Sequence, residues 1–180
     1  MVFRITLTLM KLLKILYHSL LFLRSIFLIF TLKKKIILID IDFTLANHNY
    51  FKGINKLDLN KATINNSVIK TVNFYIKKKY NPIVFTARGL GSFNSISKFL
   101  KKNLIAFYSP VLLLGNTKFK FYLIKILFLF NKRIVLVDDL SDLDFESLDF
   151  KTFSLKDFNI YESNNFKHIN PKSLWNYLII

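Results

Sequence analysis

The sequence predicts an α/β protein: a Rossmann-like three-layer sandwich with a mostly parallel sheet, preceded by an N-terminal apolar helix. Three observations carry this. Short β-branched runs alternate with helix-like stretches from residue 33 onward, the pattern of strands buried on both faces between crossover helices. Polar clusters fall at the carboxyl ends of those runs, where open parallel sheets bind ligands. Residues 5–32, "ITLTLMKLLKILYHSLLFLRSIFLIFTL", are almost wholly apolar and contain neither Gly nor Pro.

Taken in order, residues 1–32 form a separate N-terminal segment and residues 33–180 the main domain. In the first segment Lys11, Lys14 and Arg24 interrupt the apolar run, which argues against a spanning helix of about 20 uncharged residues. On a helical wheel Arg4, Thr8, Lys11, Lys14, His18 and Ser25 gather on one side. The expectation is an amphipathic helix lying in a membrane interface, with a helix packed on the domain as the alternative. The basic run Lys33–Lys35 at the junction favours a cytoplasmic location at the inner face of the membrane.

The expected strands are "KIILID" (35–40), "PIVFT" (82–86), "PVLLLG" (110–115), "RIVLVD" (133–138) and "KTFSL" (151–155). Helical stretches are expected near 64–79, 93–102 and 118–130. Residues 45–63 read as a polar loop too short for a sizeable cap domain, so the pocket is expected to be open.

The 180 residues suffice for one domain with a real core. The chain has no Cys, which excludes disulfides, thiolate metal sites and thiol nucleophiles. A net charge of +16 suggests nucleic acid or an anionic surface. Only four of the 27 basic residues are Arg, however, and the abundance of Lys, Phe, Ile and Asn is that of A/T-rich codons; nucleic acid is therefore not the expected partner. The sequence holds no GxxxxGK[ST], and "RGLGSFN" lacks the third glycine of a dinucleotide fingerprint. His48 and His168 read as surface residues, with a place at the site entrance as the lesser alternative for His48.

The acidic residues are the informative minority. Of 11, two are Asp40 and Asp42 and six more lie between Asp138 and Asp149. Carboxylates gathered at strand ends repel one another unless they share a cation. An all-oxygen site of this kind suits Mg²⁺ with a substrate phosphate, and Thr86 with Lys118 or Lys120 is placed to complete it.

In this arrangement the chain resembles the haloacid dehalogenase superfamily of phosphatases, in its compact capless form. "DIDFTL" is similar to motif I, "VFTAR" to motif II, "GNTKFK" to the motif III lysine region and "VLVDDLSDLD" to the acidic motif IV, all in family order. The resemblance implies a Mg²⁺-dependent phosphohydrolase acting on a phosphate monoester. Asp40 would be the nucleophile that forms an aspartyl-phosphate, and Asp42 the general acid and base. Thr86 and a lysine, Lys118 ahead of Lys120, would neutralise the phosphoryl oxygens. The metal would take the Asp40 side chain, the Asp42 carbonyl and an acid of motif IV. That acid is Asp138 with Asp142 behind it, or Asp139 with Asp144. Thr44, Ala87 and Arg88 are the candidate substrate contacts. Phe43 departs from the family, which commonly has a small or polar residue there. The substrate would be a phosphorylated small molecule or a glycan- or lipid-linked phosphate. The rival reading is a non-catalytic, receiver-like phosphate-binding module tethered to the membrane; it expects an acceptor Asp after the third strand, where "LLLGNT" has none.

Overall fold

Four consecutive apolar side chains, Ile36 to Ile39, are fully buried, which a strand achieves only when both faces of its sheet are covered. They form β1 (Lys35–Ile39), the centre of the fold. The computed structural model describes residues 2–31, 33–48, 58–103, 111–144 and 149–174.

Before β1 runs the helix α1 (Val2–Phe30). After it come a short antiparallel pair, β2 (Ala46–Asn47) and β3 (Thr63–Ile64), then α2 (Asn66–Lys77) and β4 (Asn81–Thr86). A single 3₁₀ turn, Leu90–Ser92, leads into α3 (Phe93–Lys102), β5 (Val111–Leu113), α4 (Thr117–Leu129) and β6 (Arg133–Val137). The chain closes with the hairpin of β7 (Ser141–Asp144) and β8 (Asp149–Thr152), then β9 (Phe166–Ile169) and α5 (Pro171–Leu174).

The main sheet has the order β5-β4-β1-β6-β9, and every neighbouring pair in it is parallel. Ile39 stands opposite Val84 on one side and Val137 on the other. The chain builds outward from β1 through β4 to β5, then crosses back to place β6 on the other flank of β1. Such a reversal opens a crevice at the carboxyl ends of the strands.

Alternate residues of β1 feed two cores. Ile37 and Ile39 pack with Val68 and Val72 of α2 and with Ile96, Phe99 and Leu100 of α3. Ile36 and Leu38 pack with Phe121, Leu123, Ile124 and Leu127 of α4. The three expected layers are therefore present. Asn65 and Asn116 cap α2 and α4: their side-chain oxygens accept from the amides of Ser67 and Val68, and of Lys118, meeting donors the helix cannot satisfy itself.

Two expectations are corrected. The stretch "KTFSL" does not join the main sheet: β8 pairs with β7 in a separate hairpin, and the fifth strand is β9. Residues 166–169, "FKHI", set two apolar residues around a basic and a polar one and form an edge strand in which Phe166 is buried, Lys167 is exposed and His168 and Ile169 are half-buried. They therefore lack the apolar run of a central strand.

The second correction concerns α1. Ser25, assigned to a polar, solvent-facing stripe, is buried at 2% exposure and donates to the Leu21 carbonyl at 2.9 Å. Leu21 is buried beside it, and Phe22, Ile26 and Leu28 pack against the α4 core. Phe22 stacks on Phe119 with ring centroids 4.8 Å apart. The helix thus docks on the domain through the side carrying Ser25, and its leucine face points outward. Among the described residues no helix is long and apolar enough to cross a membrane. The loop at 45–63 lies partly outside the described residues.

Candidate functional site

Three strand ends converge where β1 meets β4 and β6. Asp40 follows β1 directly, with its amide donating to the Val137 carbonyl of β6 at 3.0 Å. Thr86 ends β4, and Asp138 and Asp139 follow β6. Asp40, Asp138 and Asp139 are all buried. One carboxylate oxygen from each lies within 4.8 Å of the others, a group that could hold a metal ion.

Lys120 enters this cluster from α4. Its Nζ is 3.0 Å from Asp40 Oδ1 and 2.6 Å from Asp138 Oδ2, and its side chain is only 4% exposed. Burial alone would pull the ammonium pKa down; the Asp138 and Asp40 carboxylates more than reverse this and hold it above the usual lysine range. Lys118, expected to lead, is exposed. The reason is helix phase: two residues are about 200° apart around the axis, so only one of the pair can face the sheet. The readable sign is that positions 120, 123, 124 and 127 form one buried stripe, which is the i, i+3, i+4, i+7 pattern.

Burial pushes the Asp40 carboxyl well above its ordinary range; Lys120 offsets this in part, while Asp138 and Asp42 raise it further. The ammonium of Lys120 is the ionic partner of Asp40 Oδ1, at 3.0 Å. Among the described residues the three buried carboxylates of this cluster are faced by the buried ammonium of Lys120. Lys172, mostly exposed, adds a longer contact of 3.7 Å to Asp139. Three carboxylate oxygens gathered within 4.8 Å of one another fit a cation on an all-oxygen donor set.

Asp42 is held differently. Arg88 donates from Nε to Oδ2 at 2.8 Å and from Nη2 to Oδ1 at 2.7 Å, and His48 Nε2 lies 2.8 Å from Oδ1. Burial raises the Asp42 carboxyl, but the hydrogen bonds from His48 and Arg88 and the Arg88 charge outweigh it, lowering the pKa to about 2. Asp42 is therefore ionised and clamped. His48, expected at the surface, is instead a partner of Asp42, and its ring meets Phe43 edge-on at 5.4 Å. Phe43 itself has φ 56, a left-handed conformation unusual for a bulky residue, in the tight turn between Asp42 and Thr44.

The remaining expected residues fall around this pair of clusters. Thr44 is fully buried, and its hydroxyl accepts the Asp139 amide at 3.1 Å, so it braces two loops. Thr86 is buried, and its hydroxyl accepts the Arg88 amide at 3.2 Å. Ala87 lies half-buried between them. Asp138 Oδ1 accepts from the Leu140 amide at 2.8 Å. The Asp138 carbonyl faces His168 Nε2 at 2.8 Å; a carbonyl can only accept, so that nitrogen carries the proton. His168 is thus a second histidine tied to the site and not a free surface group. Asp138 and Asp139 both enter the cluster, while the side chains of Asp142 and Asp144 lie outside the described residues.

No family model matches the chain, and neither a curated protein nor a solved structure matches it. Its function must be read from this site. What the arrangement offers is a buried trio of carboxylates for a cation, a buried ammonium beside two of them, and a guanidinium held on a fourth carboxylate at the same sheet edge.

Proposed function

We propose that the protein is a Mg²⁺-dependent phosphohydrolase that acts on a phosphate monoester through an aspartyl-phosphate on Asp40. The observation that carries this reading is the buried trio Asp40, Asp138 and Asp139 with Lys120 against two of its members, at the carboxyl ends of parallel strands in a chain otherwise strongly basic.

The residues present fit the metal. Asp40, Asp138 and Asp139 would hold it, and when bound it supplies positive charge that favours ionised Asp40 and offsets phosphate charge. Asp40 attacks phosphorus in line, the P–O bond to the leaving group breaks, and water later hydrolyses the acyl phosphate. Lys120 takes the place first given to Lys118, neutralising charge on the transferring group.

Asp42 is ionised while Arg88 and His48 hold it, which suits a base for the hydrolytic water. To protonate a leaving oxygen it must first gain a proton. A phosphate bound by the Arg88 fork competes for the guanidinium and loosens the clamp, making Arg88 both a substrate contact and the control on Asp42.

The test is turnover of a panel of phosphorylated sugars, nucleotides and lipids with Mg²⁺, alongside an aryl phosphate. Hydrolysis that Asp40→Asn abolishes in a folded protein is the expected result. No turnover of any member of the panel, or near-normal activity of Asp40→Asn, would overturn the reading.

A further inference from the structure

Among the described residues nothing covers the outward face of α1. Leu12, Leu16, Leu20, Leu23 and Phe27 form a continuous row along it, each between 53% and 74% exposed. The positions recur at three- and four-residue steps over four turns. The opposite side of the helix is already occupied, since Leu21, Ser25 and Phe22 are packed on the domain. This face is therefore left over after folding, and a row of large exposed apolar side chains marks an interaction surface.

Charge selects the occupant. The first 39 residues contain Arg4, Lys11, Lys14, Arg24 and the run Lys33–Lys35, but no acidic residue. Arg24 is exposed at the border of the apolar row, and Lys33 and Lys34 are exposed where the helix ends. A second copy pressed against this face would set Arg24, Lys33 and Lys34 against the same three residues, with no acidic residue in the segment to pair them, in a chain of net charge +16. An anionic headgroup layer supplies both an apolar bed and the missing negative charge. We propose that the outer face of α1 docks the protein, lying in plane, on an anionic lipid bilayer.

The docking helix also touches the loop that follows the site. Tyr17, on the edge of the same face, accepts the Leu90 amide on its hydroxyl at 2.6 Å, and Leu90 lies two residues after Arg88. The loop that carries the clamp on Asp42 is thus tied directly to the docking helix. Docking itself does not depend on the phosphohydrolase reading.

The test uses the full chain and extruded vesicles of phosphatidylcholine alone or with about 30% phosphatidylserine, a content that gives the strongly negative surface on which the proposal depends. Sedimentation with the anionic vesicles, weakened by salt, is expected. The variant Leu16→Glu/Leu20→Glu/Phe27→Glu keeps every basic residue and should lose roughly tenfold or more in binding, since both apolar burial and surface charge contribute. Because the chain has no cysteine, Leu20→Cys and, as a control on the domain, Tyr161→Cys can each carry one environment-sensitive dye. A blue shift with anionic vesicles at position 20 and none at 161 supports the proposal, even if the triple variant folds poorly. Failure of the wild type to sediment, equal shifts at both positions, undiminished binding by a folded triple variant, or a dimer that the three substitutions dissolve while vesicles are ignored would each overturn it.

Discussion

At the scale of single residues, the site depends on which cation meets which carboxylate. Lys120 is buried against Asp40 and Asp138, whereas Lys118 reaches solvent. Lys120→Ala should cost about 2.7–4 kcal/mol of transition-state stabilisation, as for loss of one preorganised oxyanion donor, and Lys118→Ala should leave kcat within about twofold, in keeping with a solvated lysine that donates nothing to the transition state; steady-state kinetics with the best panel substrate separates them. Asp42 and Arg88 should separate by a different signature. Asp42→Asn removes the proposed base and should lower kcat by roughly 10²- to 10⁴-fold. Arg88→Ala should chiefly raise KM by about 10- to 100-fold, since hydrogen bonds to charged groups contribute ~1.5–3 kcal/mol. An Arg88 variant that lost kcat alone would assign the guanidinium to the chemical step instead.

At the scale of elements, the loops after β1 and β6 are held together by one bond across 95 residues, from the Asp139 amide to the Thr44 hydroxyl. Thr44→Val keeps the shape of the side chain and strands a buried N–H, which costs about 1–3 kcal/mol. Chemical denaturation should register that loss with the m-value unchanged. The apparent affinity for Mg²⁺ should weaken as well, because Asp139 sits on the loosened loop. Helix α4 shows how one element serves both packing and chemistry: the stripe that buries Leu123, Ile124 and Leu127 also delivers Lys120 to the strand ends. A helix rotated by half a turn would present Lys118 but expose the stripe.

At the scale of the whole molecule, three buried carboxylates with Lys120 against two of them carry an electrostatic cost that a bound divalent cation would relieve. The folded chain should therefore gain stability from Mg²⁺ by mass action. At a hundredfold excess over Kd the gain is about 2.7 kcal/mol, or roughly 5 to 11 °C in Tm for a chain of this size. Thermal melts with Mg²⁺ and with EDTA measure it, and Asp138→Asn should remove most of the difference. No Tm shift up to several millimolar Mg²⁺ would mean that the trio is not a metal centre at neutral pH.

Much of this was legible in the residue order. Apolar β-branched runs alternating with amphipathic stretches determine a parallel sheet between helices, because only buried strands read as continuous apolar runs. The same order places Asp40, Asp42, Thr86, Asp138 and Asp139 at strand ends, since each directly follows or closes such a run. The edge strand β9 was not legible, because a strand covered on one side carries only half the apolar signal. The tertiary structure alone decided which side chains meet. Arg88 reaches Asp42 across 46 residues and Thr44 reaches Asp139 across 95, and neither separation leaves a periodic trace. It also decided which side of α1 faces the domain. The chain has apolar residues enough for both sides of that helix, and the local pattern fixes the helix but not its rotation, which is set by the shape of the surface that α4 presents to Leu21, Phe22 and Ser25.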